Sequence, residues 1–512
     1  MSLAKLSAGE GFEYYTRVIA THDANERRTT GIDDYYSEKG ESPGVWLGAG
    51  LAALGITEGE QVTEAQMRAL LGEGLHPNAD AIIDAAITEQ VALGAKAKDA
   101  IRYALKKAQL GRPYSQFTTA PGSYRHECAK ALTEWNTAHG HDPRAAVPPA
   151  ERRRIRTEVA LRMFAADIGR EPLNARELSG WIARASRPSK TAVAGFDLTF
   201  SPVKSVSVLW AVAPREIAEK IEAAHHAAIR DVIAFIEAEV LYTRVGRHSV
   251  RQVEVAGLIA TAFDHRDSRA GDPDLHTHVV IANNVLRADG RWGAIDGRMI
   301  YRYNVTCSEM YNTRLEHHLE QMLGLVFADR GEVVDKRPVR EVVGVDAELA
   351  AEWSKRGRAI RSATAKLAAR FQADHDREPT ALELVDLAQQ ATLSTRASKH
   401  AARSHAEQRA AWRADAIAVL GSETAVDQMV HTALSQQIPD REHVTDTWVR
   451  EVAEQTVAVV SQTRATWQHH HIRAEAERQV RGRLTPDQWA DVVAAITETA
   501  LSEPISIPRG VH

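Results

Sequence analysis

The sequence predicts an α+β fold, because strand-like alternation in the middle of the chain is set between long helical stretches. Across residues 196–210 apolar and polar side chains alternate with a period of two, which predicts a strand with one polar face. Two more strands are predicted at about 253–263 and 276–285, with helical periodicity before and after this region. Helices interleaved with antiparallel strands are typical of an α+β domain.

The other segments are predicted in chain order. The pattern of residues 1–60 predicts a short strand followed by turns rich in glycine and aspartate. Residues 61–190 are alanine-rich and predict a helical, partly basic insertion, so the core is expected to combine 1–60 with 191–330. Residues 331–420 predict a helical extension, and 421–512 predict several further helices.

Length and composition limit the class of protein. A chain of 512 residues is too long for one hydrophobic core, and 44% hydrophobic residues predict ordered globular structure in two or three domains. No run of eighteen apolar residues and no signal-peptide pattern occurs, so we expect a soluble, cytoplasmic protein. Cys128 and Cys307 are too few and too far apart for a disulfide framework or a thiolate metal site. A metal ion would therefore depend on histidines and carboxylates.

The net charge of −5 conceals a strong asymmetry along the chain. Residues 1–100 contain 8 Lys and Arg against 16 Asp and Glu, whereas residues 101–200 contain 17 against 9. The second segment includes the cluster Arg152, Arg153, Arg154 and Arg156, which could neutralise phosphates. The same cluster is equally compatible with a solvated helix face.

Three histidines around a turn predict a metal site. His276 and His278 are two residues apart, so a strand would place them on one face with Cα atoms roughly 6.5 Å apart. His265 ends the preceding strand, and the turn-rich segment 267–274 allows an antiparallel return that brings it to the same face. Three neutral imidazoles leave coordination positions open for substrate oxygens. The alternative is three polar histidines on an exposed sheet, but the Asp272-Pro273-Asp274 loop favours the metal site.

Two tyrosine pairs, Tyr14-Tyr15 and Tyr35-Tyr36, are candidate nucleophiles. A phenol with a pKa of about 10 needs a nearby cation or base to act at neutral pH. On the pattern alone, paired tyrosines are more often half-buried aromatic residues.

Asp197 lies on the polar face of its predicted strand. There it could accept a tyrosine proton or orient a histidine that binds the ion. Lys204, together with Arg269 in the loop between the histidines, is a candidate contact to phosphate, although a solvated lysine is an equally good interpretation.

These features together resemble the relaxase domain of conjugative-plasmid relaxase–helicases, the MobF class of the HUH endonuclease superfamily. The resemblance covers roughly 1–60 and 194–330, and a weaker similarity occurs at Val342-Val343-Gly344-Val345. It depends on four segments, namely Tyr14-Tyr15, Asp33-Asp34-Tyr35-Tyr36 with Trp46 beyond it, Phe196-Asp197-Leu198-Thr199-Phe200-Ser201 through Lys204-Ser205-Val206-Ser207, and 263–278 with Asn283.

The resemblance implies a five-stranded antiparallel HUH, palm-like sheet flanked by helices. It also implies that the enzyme nicks one DNA strand at a plasmid origin of transfer. Tyr14 would be the primary nucleophile, which leaves a 5′-phosphotyrosyl enzyme and a free 3′-hydroxyl. Tyr35 would perform the second transesterification, with Tyr15 and Tyr36 as secondary candidates, and Asp197 matches the acid of the family.

The resemblance further implies a divalent ion on His265, His276 and His278. Mg²⁺ or Mn²⁺ is expected in function, whereas Zn²⁺ or Ni²⁺ suits imidazole ligands in vitro. The expected partners are single-stranded or hairpin DNA at the origin, accessory relaxosome proteins and a coupling protein. The protein itself is expected in the bacterial cytoplasm.

The sequence departs from the class in three places. Residues 16–31, between the tyrosine pairs, and the insertion 61–190 are both longer than expected. No Gly-x-x-x-x-Gly-Lys-Ser/Thr motif occurs, although 421–512 looks like the lead-in to a helicase, which suggests a truncated or a naturally short relaxase. The alternatives are a rolling-circle replication initiator, a zinc hydrolase using activated water, and a non-catalytic DNA-binding module.

Overall fold

The computed structural model describes most of the chain. The described residues are 1–9, 12, 43–114, 122–143, 145, 147–185, 192–331, 339–395, 404–485 and 487–507. All four candidate tyrosines, Tyr14, Tyr15, Tyr35 and Tyr36, lie outside these residues.

A five-stranded antiparallel sheet forms the centre of the structure, as predicted. Its strands in chain order are β1 (Ser2–Ser7), β2 (Val45–Leu47), β3 (Val193–Phe200), β4 (Ala260–Asp267) and β5 (Pro273–Ala282). The spatial order is β1-β3-β5-β4-β2, and every neighbouring pair is antiparallel. The longest strand, β5, is therefore in the middle of the sheet.

The predicted strand at 196–210 was wrong in its second half. The strand ends at Phe200, and a helix, α7, follows from Lys204 to Val212. Pro202 cannot donate to a sheet ladder, and every residue from Ser205 to Val212 is buried. A short helix that is apolar on all sides has no periodicity by which sequence could separate it from a buried strand.

The other two predicted strands exist with shifted ends. The strand predicted at 253–263 is β4, and the one predicted at 276–285 is β5, so both histidine segments lie inside strands. The turn between them is reduced to residues 268–272.

The predicted insertion is helical throughout its described parts. A short 3-10 helix (Ala49–Leu54) precedes it, and a π-helical turn spans Arg68–Glu73. Tyr124, Phe164 and Trp181 are buried in a small separate core between its last three helices. The insertion helices are α1 (Glu64–Met67), α2 (Ala79–Ala92), α3 (Ala97–Ala108), α4 (Tyr124–Ala138), α5 (Pro149–Ile168) and α6 (Ala175–Ala185).

One face of the sheet is covered by α7 (Lys204–Val212), α8 (Arg215–Phe235) and α9 (Gly297–Leu323). A π-helical turn (Ile236–Val240) extends α8, and a 3-10 turn spans Arg247–Ser249. Three small antiparallel pairs flank the sheet: Thr243–Val245 with Arg251–Val253, Asn284–Leu286 with Trp292–Ala294, and Phe327–Asp329 with Arg340–Val342.

The helices after the sheet pack onto this layer. Their largest side chains, among them Trp353 and Trp412, share one continuous core with Trp210 and Tyr311. Among the described residues, no helix is long and apolar enough to cross a membrane. These helices are α10 (Ala347–Glu352), α11 (Lys355–His375), α12 (Ala381–Ser394), α13 (His405–Leu420), α14 (Glu423–Leu434), α15 (Asp446–Ser461), α16 (His469–Val480) and α17 (Trp489–Leu501). The division of the chain into domains stays a prediction.

The two faces of the sheet have different chemistry. Phe196, Leu198 and Phe200 of β3 enter the core on the helical face, whereas Asp197 and Thr199 between them point to the opposite face. That opposite face is covered at one end by a second core that includes Trp46, Met67, Phe263 and Val280. The end of this face that lies beyond the second core carries the candidate site.

Gly195→Ala should destabilise the sheet. A Cβ at Gly195 would lie 2.3 Å from the backbone oxygen of Ile281 in β5, and backbone cannot move away cheaply. We expect a loss of about 3 kcal/mol, seen as a lower apparent midpoint of thermal unfolding. Gly180→Ala is the control, since its Cβ would meet no atom within 4 Å and alanine favours a helix. Equal effects of the two changes would contradict this account of Gly195.

Candidate metal centre

The structure brings His265, His276 and His278 together on one face of the sheet. His265 of β4 pairs directly with His276 of β5, and Phe263 pairs with His278. Opposed residues in an antiparallel pair point to the same side, so the register places all three imidazoles together. The ring centroids form a nearly equilateral triangle, with separations of 5.2 Å, 5.2 Å and 5.4 Å.

The ring separations fit a shared ion. An imidazole nitrogen about 2.1 Å from a metal puts its ring centroid roughly 3.2 Å from that metal, so two rings at a tetrahedral angle lie roughly 5.2 Å apart. Among the described residues, no three His, Cys, Asp or Glu side chains have donor atoms already set for one ion. The spacing of the three rings therefore suits one ion, but their donor nitrogens would have to reorient to bind it.

Hydrogen bonds select which nitrogen of each histidine on β5 can bind an ion. His278 Nδ1 donates to the carboxylate of Asp197, with distances of 2.9 Å and 3.0 Å to its two oxygens. His276 Nδ1 donates to the backbone oxygen of Asp274 at 2.7 Å. A neutral imidazole with its proton on Nδ1 presents the lone pair of Nε2 to a metal. Burial lowers the pKa of His276, although Asp274 acts in the opposite direction, and this favours the neutral form.

Asp197 occupies the position expected of a residue that orients a ligand. It lies on β3, which pairs with β5, and only 7% of its surface is exposed. Because the carboxylate can only accept, it fixes both the tautomer and the ring orientation of His278.

A second hydrogen-bond network lies under the histidines, on the helical face. Thr277 stands between the two histidines of β5 and turns to this face, where its hydroxyl donates to Asp264 of β4 at 2.5 Å. The same hydroxyl accepts a bond from His225 Nε2 at 2.8 Å, and His225 Nδ1 accepts one from the Tyr311 hydroxyl at 2.7 Å. Since the carboxylate accepts, every donor in the chain from Tyr311 to Asp264 is fixed.

The charges in this network are consistent with that assignment. His225 is fully buried, and burial lowers its pKa to about 3, so it is neutral at physiological pH. Burial would raise the pKa of Asp264, but the hydrogen bond from His226 Nε2 and the charge of His226 lower it to about 2. The carboxylate is therefore ionised, and it binds β4 to β5 beside the ligands. The sequence contained no local sign of this network, because its partners come from α8, α9, β4 and β5.

Lys204 is placed differently from the other candidates. Its ammonium donates to the backbone oxygen of Pro273 at 2.6 Å, and burial lowers its pKa despite the nearby Asp274 and Asp272. The ammonium has three N–H donors, so a phosphate contact at Lys204 would use donors other than the one that bonds to Pro273. Arg269 lies half-buried in the turn between β4 and β5. DNA binding by either residue stays a prediction.

The Asp-Pro-Asp loop holds the end of β5. Asp272 is buried and accepts a bond from the Lys355 backbone nitrogen at 3.0 Å, while the Lys355 ammonium lies 3.5 Å from the carboxylate. Trp412 Nε1 donates to the oxygen of Gly271 in the same turn. The loop thus anchors β5, the strand of His276 and His278, to α11 and α13.

The described part of the chain thus has an α+β fold whose five-stranded antiparallel sheet carries three clustered histidines, with Asp197 hydrogen-bonded to one of them. A family model described as TrwC relaxase matches residues 8–419. This match covers well over half of the chain, so the chain belongs to the TrwC relaxase family.

The chain is also similar to individual proteins. It is 31% identical over 216 residues to the multifunctional conjugation protein TraI of Escherichia coli, which is 40% of this chain and 11% of the relative. TraI of Escherichia coli strain K12 is 29% identical over 179 residues, 33% of this chain and 10% of the relative. The match therefore spans about a tenth of the length of these relatives.

Solved structures of the conjugative relaxase TrwC show a distant likeness. A copper-bound complex with oriT DNA has a TM-score of 0.45 at 20% identity, covering 84% of this chain and 98% of that chain. A complex with a 27-mer DNA that comprises the recognition hairpin and the cleavage site has a TM-score of 0.41 at 20% identity, with the same coverage. The family assignment depends on the match over residues 8–419.

Thr277→Val should weaken metal binding without touching a ligand. The change keeps the shape but leaves Asp264 and His225 without the hydroxyl, which should cost about 1–3 kcal/mol of stability. If the bond holds the two histidines of β5 in place, ion affinity measured by calorimetric titration should fall about 10- to 100-fold.

Thr313→Val is the matched control for stability. Thr313 is a buried threonine of α9, and its hydroxyl donates to the backbone oxygens of Glu309 and Glu477. We expect this variant to lose stability but to keep its ion affinity. Equal ion affinity in the two variants would reject the positioning role of Thr277.

Proposed function

We propose that this chain is a metal-dependent relaxase that nicks one DNA strand at a plasmid origin of transfer through a tyrosine nucleophile. The observation that carries the proposal is the triangle of three imidazoles with the Asp197–His278 hydrogen bond, in a member of the TrwC relaxase family. The match to the TrwC relaxase family and the similarity to the conjugation protein TraI support the choice of substrate.

His265, His276 and His278 are the residues that would hold the divalent ion. When bound, the ion supplies Lewis-acid polarisation of the scissile phosphate and a template for its oxygens. Asp197 keeps the proton of His278 on Nδ1, and Asp274 does the same for His276, so both rings offer Nε2 to this position. The buried network through Thr277 holds the strands that carry the ligands.

In the proposed reaction the Tyr14 oxygen forms a bond to the scissile phosphorus, and the bond from phosphorus to the 3′ oxygen breaks. The phenolic proton passes to a base, for which Asp197 is the candidate, and the leaving 3′ oxygen takes up a proton to become a hydroxyl. The product is a 5′-phosphotyrosyl linkage. Because one phosphoester replaces another, the strand can be rejoined without ATP.

The second transesterification is assigned to Tyr35, with Tyr15 and Tyr36 as secondary candidates. These roles come from the resemblance to the family, since the four tyrosines lie outside the described residues. Mg²⁺ or Mn²⁺ is proposed as the ion in function, and the three imidazoles would bind Zn²⁺ or Ni²⁺ in vitro.

The proposed partners follow from the same function. They are single-stranded and hairpin DNA at the origin, accessory relaxosome proteins and a coupling protein. The proposed location of this protein is the bacterial cytoplasm. The core of this relaxase is proposed to be 1–60 with 191–330, and the helical insertion, extension and C-terminal segment are its additions.

Tyr14→Phe should abolish the covalent protein–DNA adduct and leave DNA affinity nearly unchanged, because only the attacking oxygen is removed. The protein is incubated with single-stranded oligonucleotides from candidate origins and Mn²⁺, and adducts are resolved on denaturing gels. Mass spectrometry of the wild-type adduct identifies the modified tyrosine. Tyr103→Phe, an exposed tyrosine of α3, is the control. An unchanged adduct in Tyr14→Phe would show that the nucleophile is another residue.

His276→Ala should reduce ion affinity and cleavage together. Loss of a ligand should lower ion affinity by more than the roughly 10- to 100-fold that loss of a ligand's hydrogen-bond partner costs. Calorimetric titration with Mn²⁺ and with Zn²⁺ measures affinity, and the adduct assay measures cleavage. His443→Ala changes an exposed histidine and serves as the control. Retained cleavage with full metal occupancy would reject His276 as a ligand.

A further inference from the structure

A pocket on the helical side of the sheet lies where α9 meets α15 and α16. Its volume is about 330 Å³. We call it the α9–α16 pocket, and the lining residues that matter here are Tyr301, Arg302, Val305, Arg464, His470 and His471. Since α9 covers the face of the sheet opposite the three histidines, this pocket is separate from the candidate metal centre.

The pocket offers flat and apolar surfaces to solvent. Tyr301 is 43% exposed and Val305 is 52% exposed. Two side chains of the sheet contact the Tyr301 ring. The Lys5 ammonium lies 5.2 Å from its centroid, and the Phe196 ring lies edge-on to it at 6.3 Å. His470 and His471 place two more rings at the pocket, 4.0 Å apart. Exposed rings of this kind are stacking surfaces for nucleobases.

The pocket also carries positive charge without matching carboxylates. Arg302 and Arg464 are both exposed, and in the described part of the chain neither forms an ion pair with a carboxylate. Burial, followed by the charges of His471 and of these two guanidinium groups, lowers the pKa of His470 to about 4, so the imidazole is neutral and the charge is on the arginines.

The acidic residue that lines the pocket, Glu475, is already paired. Arg478 lies on its wall and bonds to Glu475 and to Glu309, each at 2.8 Å. The excess charge therefore comes from Arg302 and Arg464, with Lys5 beside Tyr301. Cations around exposed rings match a ligand that combines phosphate with an aromatic base.

We propose that the α9–α16 pocket binds single-stranded DNA without sequence preference, with a base stacked on Tyr301 and phosphates held by Arg302 and Arg464. The volume suits one nucleotide, and a single strand exposes the base faces that a duplex hides by stacking. This inference goes beyond the proposed nicking reaction, because it uses none of the residues of the metal centre.

The first test measures how salt weakens binding of an oligothymidylate of about 12 nucleotides to the full chain by fluorescence anisotropy. Each phosphate contact to a single strand contributes about 0.7 to the slope of log affinity against log salt. The double variant Arg302→Gln with Arg464→Gln should therefore lower the slope by about 1.4 and weaken binding at low salt. Arg215→Gln with Arg370→Gln is the charge-matched control, at side chains that are 89% and 81% exposed. Equal slopes in the two double variants would overturn the proposal.

The second test locates the strand. An oligonucleotide containing bromodeoxyuridine is cross-linked by light to the wild-type protein, and the modified peptides are identified by mass spectrometry. We expect cross-links within 299–305 or 464–475. Cross-links confined to the peptides of the three histidines would overturn the proposal. It would also be overturned if free thymidine monophosphate displaced the strand at the same total nucleotide concentration.

The adduct assay separates this proposal from the nicking proposal. With saturating origin DNA, the Arg302→Gln and Arg464→Gln double variant should form adduct at the wild-type rate, since the pocket and the histidines are on opposite faces. If neither the wild type nor the double variant forms an adduct, but the salt slope of the double variant is still lower by about 1.4, the pocket proposal holds and the nicking proposal fails.

Discussion

The hydrogen bond from Thr277 to Asp264 is the contact on which the site depends. It joins β5 to β4 between residues that neighbour all three histidines, and it lies on the helical face while the imidazoles lie on the other. A one-residue slip between these strands would turn every side chain to the wrong face. The register and the buried bond beneath it therefore determine whether three imidazoles meet.

This bond is also the link between the site and the rest of the fold. From Thr277 the chain of hydrogen bonds passes through His225 of α8 to Tyr311 of α9, all fully buried. An unsatisfied member would cost free energy in the low-dielectric interior, so the helical layer is fixed relative to the strands. Asp197 of β3 also fixes the site, because its carboxylate accepts a hydrogen bond from His278 and so holds that imidazole in place.

Helix α9 connects the two surfaces to which we assign DNA. Tyr311 anchors the network under the metal centre, whereas Tyr301, almost three turns earlier on the same helix, lines the α9–α16 pocket. The C-terminal helices share the main hydrophobic core with this helix. Their burial against α9 builds a surface that no single segment of the chain contains.

Local periodicity was enough to predict the α+β class and the shared face of His276 and His278, because alternation in a strand is set by the backbone alone. The family resemblance added the number of strands and the roles of Tyr14 and Asp197. Periodicity failed at 196–210, since a fully buried helix and a buried strand have the same apolar sequence. Only the tertiary structure decided that Lys204 bonds to Pro273, that Thr277 joins Asp264 to His225, and that Arg302 and Arg464 line one pocket. These pairings join residues far apart in the chain, and they depend on strand register and helix packing, which no local pattern determines.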